Sequence, residues 1–131
     1  KIKKNDLVIG SRHLKRKSTP NWNPFRLFLN KAAYLTSYIL FNHSYDSTNA
    51  FRCYNLRKIK RIFISLCKSN DYDFFFTSLT ILNFYKYKIS QIPMVIKGRT
   101  AGNSKMKIKH MIKSIYMMFS LFFKIKFVYP K

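Results

Sequence analysis

The sequence predicts an α/β fold, because short segments typical of strands alternate with longer segments typical of helices. The first strand is indicated by an apolar run over residues 6–10 that closes on Gly10. The clearest helix begins at Pro24, which suits a first helical turn, with Asn23 as its cap. A length of 131 residues allows one domain at most, and a small or incomplete domain fits equally well.

The other elements are assigned by periodicity and by the residues that interrupt it. The helix that begins at Pro24 is apolar nearly all round, so we expect it to be buried or pressed against lipid. Residues 71–85 are ambiguous, since the triple Phe at 74–76 favours a strand, but their length favours a helix, which we predict. Pro93 cannot donate to a ladder and predicts an edge strand. The predicted order is strand 6–10, loop 11–23, helix 24–41, polar break 42–48, strand 50–54, basic helix 56–66, helix 71–85, edge strand 88–96, polar loop 97–105 and helix 106–127.

The charge is strongly unbalanced, with 26 Lys and Arg against 4 acidic residues and a formal net charge of +22. All four acids are Asp, which excludes a hydrolase built on a pair of Glu side chains. A content of 47% hydrophobic and 18% aromatic residues excludes a charged disordered tail. The cations favour nucleic acid, an anionic membrane surface or a phosphorylated substrate as partner. Because Lys, Ile, Asn, Phe and Tyr are all abundant, coding DNA rich in A and T would produce much of the same excess, so charge alone names no partner.

Metal and disulfide chemistry find little support in the sequence. Cys53 and Cys67 form neither a ligand spacing nor a disulfide framework, and we expect reduced thiols. His13, His43 and His110 lie far apart without Cys or carboxylate at ligand spacing, which argues against zinc. The chain starts with Lys and has no signal-peptide stretch, so we expect it to begin in mid-protein. No window reaches the ~18 consecutive apolar residues of a membrane-spanning helix.

Two arginines flank the start of the long apolar helix. Arg12 follows Gly-Ser after the first strand, and Arg26 lies in the first turn of the helix. The forked donors of Arg and the partial positive charge of a helix N-terminus together suit a phosphate group. Surface arginines on a basic protein are the alternative interpretation.

Two further clusters lie downstream. Asp46 is an acid among many bases, so we expect a partner to hold it; Arg52 is a candidate, and a structural turn is the alternative. The loop at 99–105 combines Arg99, a flexible Gly, Ser104 and Lys105, and such a loop can fold over a diphosphate and neutralise it. It is not a P-loop, because the G-x-x-x-x-G-K-[ST] spacing is absent.

Taken in order, these clusters resemble the C-terminal half of a family 2 glycosyltransferase, in particular the branch of the dolichol-phosphate mannose synthases and their bacterial polyprenyl-phosphate relatives. The resemblance covers residues 6–106, and its most specific part is the Arg-x-x-Gly-x-Ser-Lys loop that follows Ile-Pro. The motifs are Val-Ile-Gly-Ser-Arg (8–12), Arg26 in an apolar helix, Asp-x-Thr-x-x-Phe-Arg (46–52), Gln-Ile-Pro (91–93) and Arg-x-x-Gly-x-Ser-Lys (99–105).

The resemblance implies a partial GT-A domain, a Rossmann-like α/β fold, whose acceptor-side half covers residues 1–105. An amphipathic, membrane-interfacial helix over 106–131 would follow it. The implied reaction transfers a sugar from a nucleotide sugar to a polyprenyl phosphate, with the protein bound peripherally at the cytoplasmic face of a membrane. The implied divalent metal, Mg²⁺ or Mn²⁺, would have its ligands upstream of this chain, so we expect the chain alone to be inactive.

Carried over by position, the resemblance also implies site residues. Asp46 would be catalytic, on the acceptor side of the site. The acceptor phosphate would be bound by Arg12, Arg26, Asn30 and Arg52. The flexible loop over the donor diphosphate would use Arg99, Ser104 and Lys105. A phosphate nucleophile is already anionic and needs no strong general base. The sequence departs from the family pattern at Ala50, usually Gly, at Thr77, usually an acid, and at Gln91, usually Glu.

Two other interpretations are open. One is a basic nucleic-acid-binding protein whose Tyr and Phe rings stack on bases, but many aromatics fall in apolar runs and no RNA-binding motif is evident. The other is a catalytically inactive, membrane-associated remnant with the same fold. The helix over 106–127 sets an apolar face rich in Phe, Met and Ile against a face of Lys, which suits anionic lipid; a core-packing helix is the alternative.

Overall fold

The computed structural model describes residues 2–67, 73–97 and 108–127. These ranges form a mixed α/β structure, which confirms the predicted class. The elements are a short 3-10 helix (Ile2–Lys4), β1 (Leu7–Ser11), α1 (Pro24–Phe41), β2 (Arg52–Tyr54), α2 (Arg61–Ser65), α3 (Asp73–Phe84), β3 (Ile89–Pro93) and α4 (Ile108–Phe127).

The three strands form one sheet in the order β2-β1-β3. Leu7 of β1 pairs with Tyr54 in antiparallel β2 and with Ile89 in parallel β3. Every residue of β1 is buried, as expected for a central strand covered on both faces. The predicted edge position of the third strand is confirmed, and Pro93 is its last residue. Because β1 and β3 are parallel, their carboxyl ends lie at the same edge of the sheet.

Helix α1 begins and ends where local sequence signals predict. The Asn23 side chain accepts from the Phe25 N–H at 2.8 Å, and Pro24 occupies the first turn. Asn42 ends the helix at φ 49°, a left-handed conformation that Asn tolerates, and its N–H donates to the Tyr38 carbonyl at 2.9 Å. From the sequence we expect this helix to be buried or pressed against lipid. Burial is wrong, because Ser37 is the one fully buried residue of α1.

Two clusters of buried side chains form the core, and α3 contributes to both. One packs against the sheet and comprises Leu7, Ile9, Ile59, Leu79 and Leu82. The other joins α3 to α4 and comprises Cys67, Phe76, Ile81, Met118 and Leu121. Helix α3 is therefore buried on both sides, which explains why its sequence is apolar without a polar face. Its helical state agrees with the prediction made from length.

The predicted basic helix over 56–66 is wrong in extent, since α2 covers Arg61–Ser65 only. A separate turn precedes it, in which the Asn55 carbonyl accepts from the N–H groups of Lys58 and Ile59, both at 3.0 Å. Ile59 is 2% exposed and packs in the core cluster that contains Leu7 and Ile9 of β1. Its burial in the core therefore holds this turn as an element separate from α2.

Candidate functional site

A buried ion pair lies at the carboxyl end of β1. Arg12 directly follows the strand and donates through Nε and Nη2 to the two oxygens of Asp46, at 2.8 and 2.6 Å. Its backbone N–H also donates to Asp46, at 2.9 Å, and Nη2 reaches the Thr48 hydroxyl at 2.6 Å. The side chains of Arg12 and Asp46 are 9% and 0% exposed. The pair therefore has the bidentate, enclosed geometry that fixes a guanidinium in one orientation.

The same contacts set the ionisation of Asp46. Burial by itself raises the pKa of this carboxyl, but the hydrogen bonds and charge of Arg12 outweigh burial and hold the pKa below its ordinary value. Asp46 is thus ionised, fully buried and already engaged as an acceptor. This geometry favours positioning of Arg12 over proton transfer to a substrate. The expected pairing of Asp46 with Arg52 is wrong, because Arg12 holds the carboxylate.

Arg52 instead clamps backbone carbonyls. Nε donates to Asn49 at 2.8 Å, Nη2 donates to Ser47 at 2.6 Å and to Asp46 at 3.3 Å, and Nη1 donates to the carbonyl of Phe75 in α3. Burial lowers the pKa of Arg52 below its ordinary value. The guanidinium therefore fastens the 46–49 loop to α3. The structure shows these donors engaged by the protein itself, so the expected contact with the acceptor phosphate stays a prediction.

Gln91 of β3 supports the other side of the same loop. Its Oε1 accepts from the Asp46 N–H at 3.1 Å, and its Nε2 donates to the Ser44 carbonyl at 3.2 Å. A Glu carboxylate offers no N–H and would lose the second contact. The Ser47 hydroxyl lies 2.8 Å from that of Ser37, which ties the loop to α1. The Asp46 loop is thus fastened to β3, α1 and α3 together.

Arg26 reaches the site through Trp22, a residue that sequence reasoning missed. The guanidinium carbon of Arg26 lies 3.8 Å from the centroid of the indole ring, and that of Arg12 lies 5.6 Å from it. Trp22 is 8% exposed, whereas Arg26 is exposed. The structure therefore brings the two predicted phosphate-binding arginines together around one aromatic side chain. No motif marks Trp22; its spacing of four residues before Arg26 was the available signal.

Two neighbours add to the description of this region. His13 follows Arg12 and packs its ring 4.2 Å from that of Tyr34 in α1; burial lowers its pKa, despite the nearby charge of Asp46. Asn30 lies one turn after Arg26, and its Oδ1 is buried with no hydrogen-bond partner among the described residues. His13 therefore contacts α1 next to Arg12 in the sequence, and Asn30 adds a buried amide to α1 itself. A role for Asn30 at the acceptor phosphate stays a prediction.

The chain that leaves β3 passes the same edge. The Met94 N–H donates to the Ser11 carbonyl at 3.0 Å, and the Ile96 N–H donates to the Ser18 carbonyl at 2.7 Å. Residues 94–97 therefore run beside the loop that carries Arg12. The predicted diphosphate residues Arg99, Ser104 and Lys105 lie outside the described residues.

No three His, Cys, Asp or Glu side chains come together as a metal-ligand group in residues 2–67, 73–97 and 108–127. None of the helices in those ranges is both long enough and apolar enough to cross a membrane. Neither the known protein-family models nor the solved structures include a match to this chain.

Proposed function

We propose that this chain is the acceptor-side part of a glycosyltransferase that moves a sugar from a nucleotide sugar to a polyprenyl phosphate. The observation that carries the proposal is the arrangement of Arg12 and Arg26 around Trp22 at the carboxyl end of β1. In open α/β sheets, ligands bind beyond the carboxyl ends of the strands, and arginines there suit a phosphate. The predicted order of motifs along the sequence points to the same acceptor.

The roles of the side chains follow from their geometry. Asp46 holds the guanidinium of Arg12 in place, and the first turn of α1 presents Arg26 beside it. The acceptor phosphate is itself the nucleophile, so the site has to orient an anion and needs no base to generate one. We assign that orientation to Arg12 and Arg26, with Asn30 and Arg52 supporting the acceptor side.

The donor half of the reaction falls to the loop at 99–105. Residues 94–97 run beside the Arg12 loop, and the loop at 99–105 follows them closely in the sequence. We assign Arg99, Ser104 and Lys105 to the donor diphosphate, where cations stabilise the negative charge of the leaving group. The divalent metal implied by the resemblance has no ligand set among the described residues, and the assigned roles belong to this chain's own side chains alone.

A membrane surface suits the outer faces of α1 and α4. These helices contact each other, with the Phe41 and Phe122 rings 6.2 Å apart. Large apolar side chains at least 47% exposed are Phe25, Phe28, Leu35, Tyr38 and Ile39 on α1 and Ile115, Tyr116, Phe119, Phe123 and Phe127 on α4. Lys31, Lys113, Lys124 and Lys126 are exposed on the same two helices. Apolar residues bordered by Lys are typical of helices that lie in the interface of an anionic membrane, so we propose peripheral binding at its cytoplasmic face.

Vesicle flotation of the whole chain tests this proposal. Phosphatidylcholine vesicles carry either polyprenyl phosphate or phosphatidylserine at matched negative charge. The chain is expected to bind the polyprenyl phosphate vesicles more tightly, and Arg26→Gln is expected to remove the difference. Arg57→Gln is the matched control, because Arg57 is an exposed arginine in the turn before α2.

Equal binding to both anionic vesicles contradicts a specific acceptor site. Tighter binding to a single-stranded oligonucleotide of equal charge favours the nucleic-acid interpretation instead. Sugar transfer by a protein that also contains the upstream half separates an active enzyme from an inactive remnant of the same fold.

A further inference from the structure

Trp22 is the one tryptophan in the sequence and lies in the loop before α1. Its ring lies against Arg26 and near Arg12, at 3.8 and 5.6 Å from the two guanidinium carbons. Both distances fall within the range in which a cation is attracted to an aromatic face. Trp22 is 8% exposed, so solvent has little access to its ring.

We propose that Trp22 is a positioning residue that orients Arg26 toward a phosphate group bound beside Arg12. The inference rests on the proposed function and adds a residue that neither the sequence motifs nor the family resemblance assigned. A guanidinium stacked on a ring keeps its N–H donors in its own plane, directed sideways past the ring edge. Stacking therefore restricts the long Arg side chain without using the forked donors that bind phosphate.

The indole nitrogen supports this assignment. Buried Trp side chains usually find a hydrogen-bond acceptor for Nε1–H. The Nε1 of Trp22 is buried and has no partner among the described residues. The contacts to Arg26 and Arg12 are made by the ring face of Trp22, which predicts that another aromatic ring can replace it.

The loop that carries Trp22 is itself fixed at several points. Asn21 adopts φ 62°, a left-handed conformation that turns the chain just before the ring. The Ser18 hydroxyl donates to the Arg12 carbonyl, and the Ser18 carbonyl accepts from the Ile96 N–H at 2.7 Å. A ring held by such a loop is a rigid support for an exposed side chain on the neighbouring helix.

The test is calorimetric titration of the whole chain with farnesyl phosphate, a short isoprenyl phosphate. Trp22→Phe keeps a ring face and is expected to bind within about threefold of the parent chain. Trp22→Leu removes the face and is expected to bind about tenfold more weakly. In an Arg26→Gln background, Trp22→Leu is expected to change the affinity by less than about twofold, because the residue acts through Arg26.

Circular dichroism and urea midpoints check that the variants fold. If Trp22→Leu does not fold, the Trp22→Phe comparison and the fluorescence emission of Trp22 in the parent chain test the proposal instead. Without ligand, Arg26→Gln is expected to shift the emission of Trp22, and Arg57→Gln is not. An unshifted emission overturns the stack. Equal affinity of the parent chain and Trp22→Leu overturns the positioning role and leaves the proposed function standing. Absence of binding by the parent chain overturns both.

Discussion

The carboxylate of Asp46 and the guanidinium of Arg12, 34 residues apart in sequence, form a bidentate pair with hydrogen bonds of 2.8 and 2.6 Å. The pair joins the carboxyl end of β1 to the loop that follows α1. Since Asp46 has no exposed surface, the two charges compensate each other away from water. This link fixes Arg12 in one orientation at the proposed phosphate site, where Arg26 is the exposed cation.

Removing Asp46 is expected to be costly. Asp46→Ala leaves the Arg12 charge enclosed without a partner, and breaking a buried pair in this way costs about 3–5 kcal/mol of the free energy of unfolding. Urea denaturation at neutral pH measures the change. Arg57→Ala, at an exposed position, is the control and is expected to stay within about 0.5 kcal/mol of the parent chain. A loss of similar size for both variants contradicts a structural role for the pair.

The pair also predicts an acid-dependent loss of stability. Arg12 holds the pKa of Asp46 below its ordinary value, so the unfolded chain binds the proton more readily than the folded chain does. The stabilisation is therefore complete above the unfolded pKa of about 3.9 and is lost as pH falls through the lower, folded pKa. Asp46→Asn is expected to remove this part of the pH dependence, measured by urea midpoints in acidic buffers. An unchanged profile contradicts the assignment.

His43 predicts a second pH effect at higher pH. It is 4% exposed, both ring nitrogens lack partners among the described residues, and burial lowers its pKa to about 4. Above the unfolded pKa of about 6.5, His43 is neutral in both the folded and the unfolded chain. As pH falls from there toward the pKa of His43 in the folded chain, protonation favours the unfolded chain and lowers the free energy of unfolding by up to about 3 kcal/mol.

Thermal denaturation at a series of pH values from neutral to pH 4 measures how far the loss of stability depends on His43. His43→Phe keeps a ring beside Phe41 and Tyr45, whose centroids lie 6.2 and 5.6 Å away, and is expected to flatten much of the slope. His13, whose pKa burial also lowers, accounts for a smaller part. A slope that His43→Phe leaves intact assigns the effect to other groups.

Arg52 is expected to tolerate no replacement by Lys. Its fork serves four carbonyls in two segments, and a single ammonium cannot reproduce that geometry. Arg52→Lys is expected to lower the free energy of unfolding by about 2–4 kcal/mol, from lost hydrogen bonds of a charged donor. Urea denaturation of Arg57→Lys, expected to be near neutral, provides the matched comparison. Equal stability of the two variants contradicts the clamp.

The apolar surface of α1 predicts a membrane effect separate from folding. Phe28 is 66% exposed, so Phe28→Asn is expected to leave the urea midpoint nearly unchanged. The same change is expected to weaken partition into anionic vesicles by about tenfold or more, since inserting a Phe side chain contributes about 1.5–3 kcal/mol. Leu56→Asn, at a position 68% exposed outside α1 and α4, is the control in the same flotation assay. An equal effect of both changes contradicts an interfacial face on α1.

Local signals accounted for much of the fold. Asn23 and Pro24 set the start of α1 because capping depends on neighbouring residues alone, and Pro93 marked the edge strand because it cannot donate to a ladder. The extent of α2 was mispredicted because the burial of Ile59, a tertiary effect, overrides the helical pattern before Arg61.

Four arginine and aspartate residues singled out in the sequence come together in the structure, Arg12, Arg26, Asp46 and Arg52, but their pairing was not predicted. Arg52 lies six residues from Asp46 and was the nearer candidate along the chain, yet Arg12 holds the carboxylate because the fold brings the end of β1 to the Asp46 loop. Trp22 carries no motif, and its contact with Arg26 depends on how the loop before α1 turns. Long-range pairings of this kind follow from topology, which periodicity does not encode.

The most direct measurement of the central claim uses Trp22 as a reporter of the two arginines. Farnesyl phosphate and farnesol share one isoprenoid chain and differ in the phosphate. Titration of the parent chain with farnesyl phosphate is expected to change the emission of Trp22 in a saturable way, and titration with farnesol is expected to leave it unchanged. Arg26→Gln is expected to abolish the response to farnesyl phosphate, and Arg57→Gln is expected to preserve it. Equal responses to farnesyl phosphate and farnesol, or a response that survives Arg26→Gln, would contradict a phosphate site at Arg12 and Arg26.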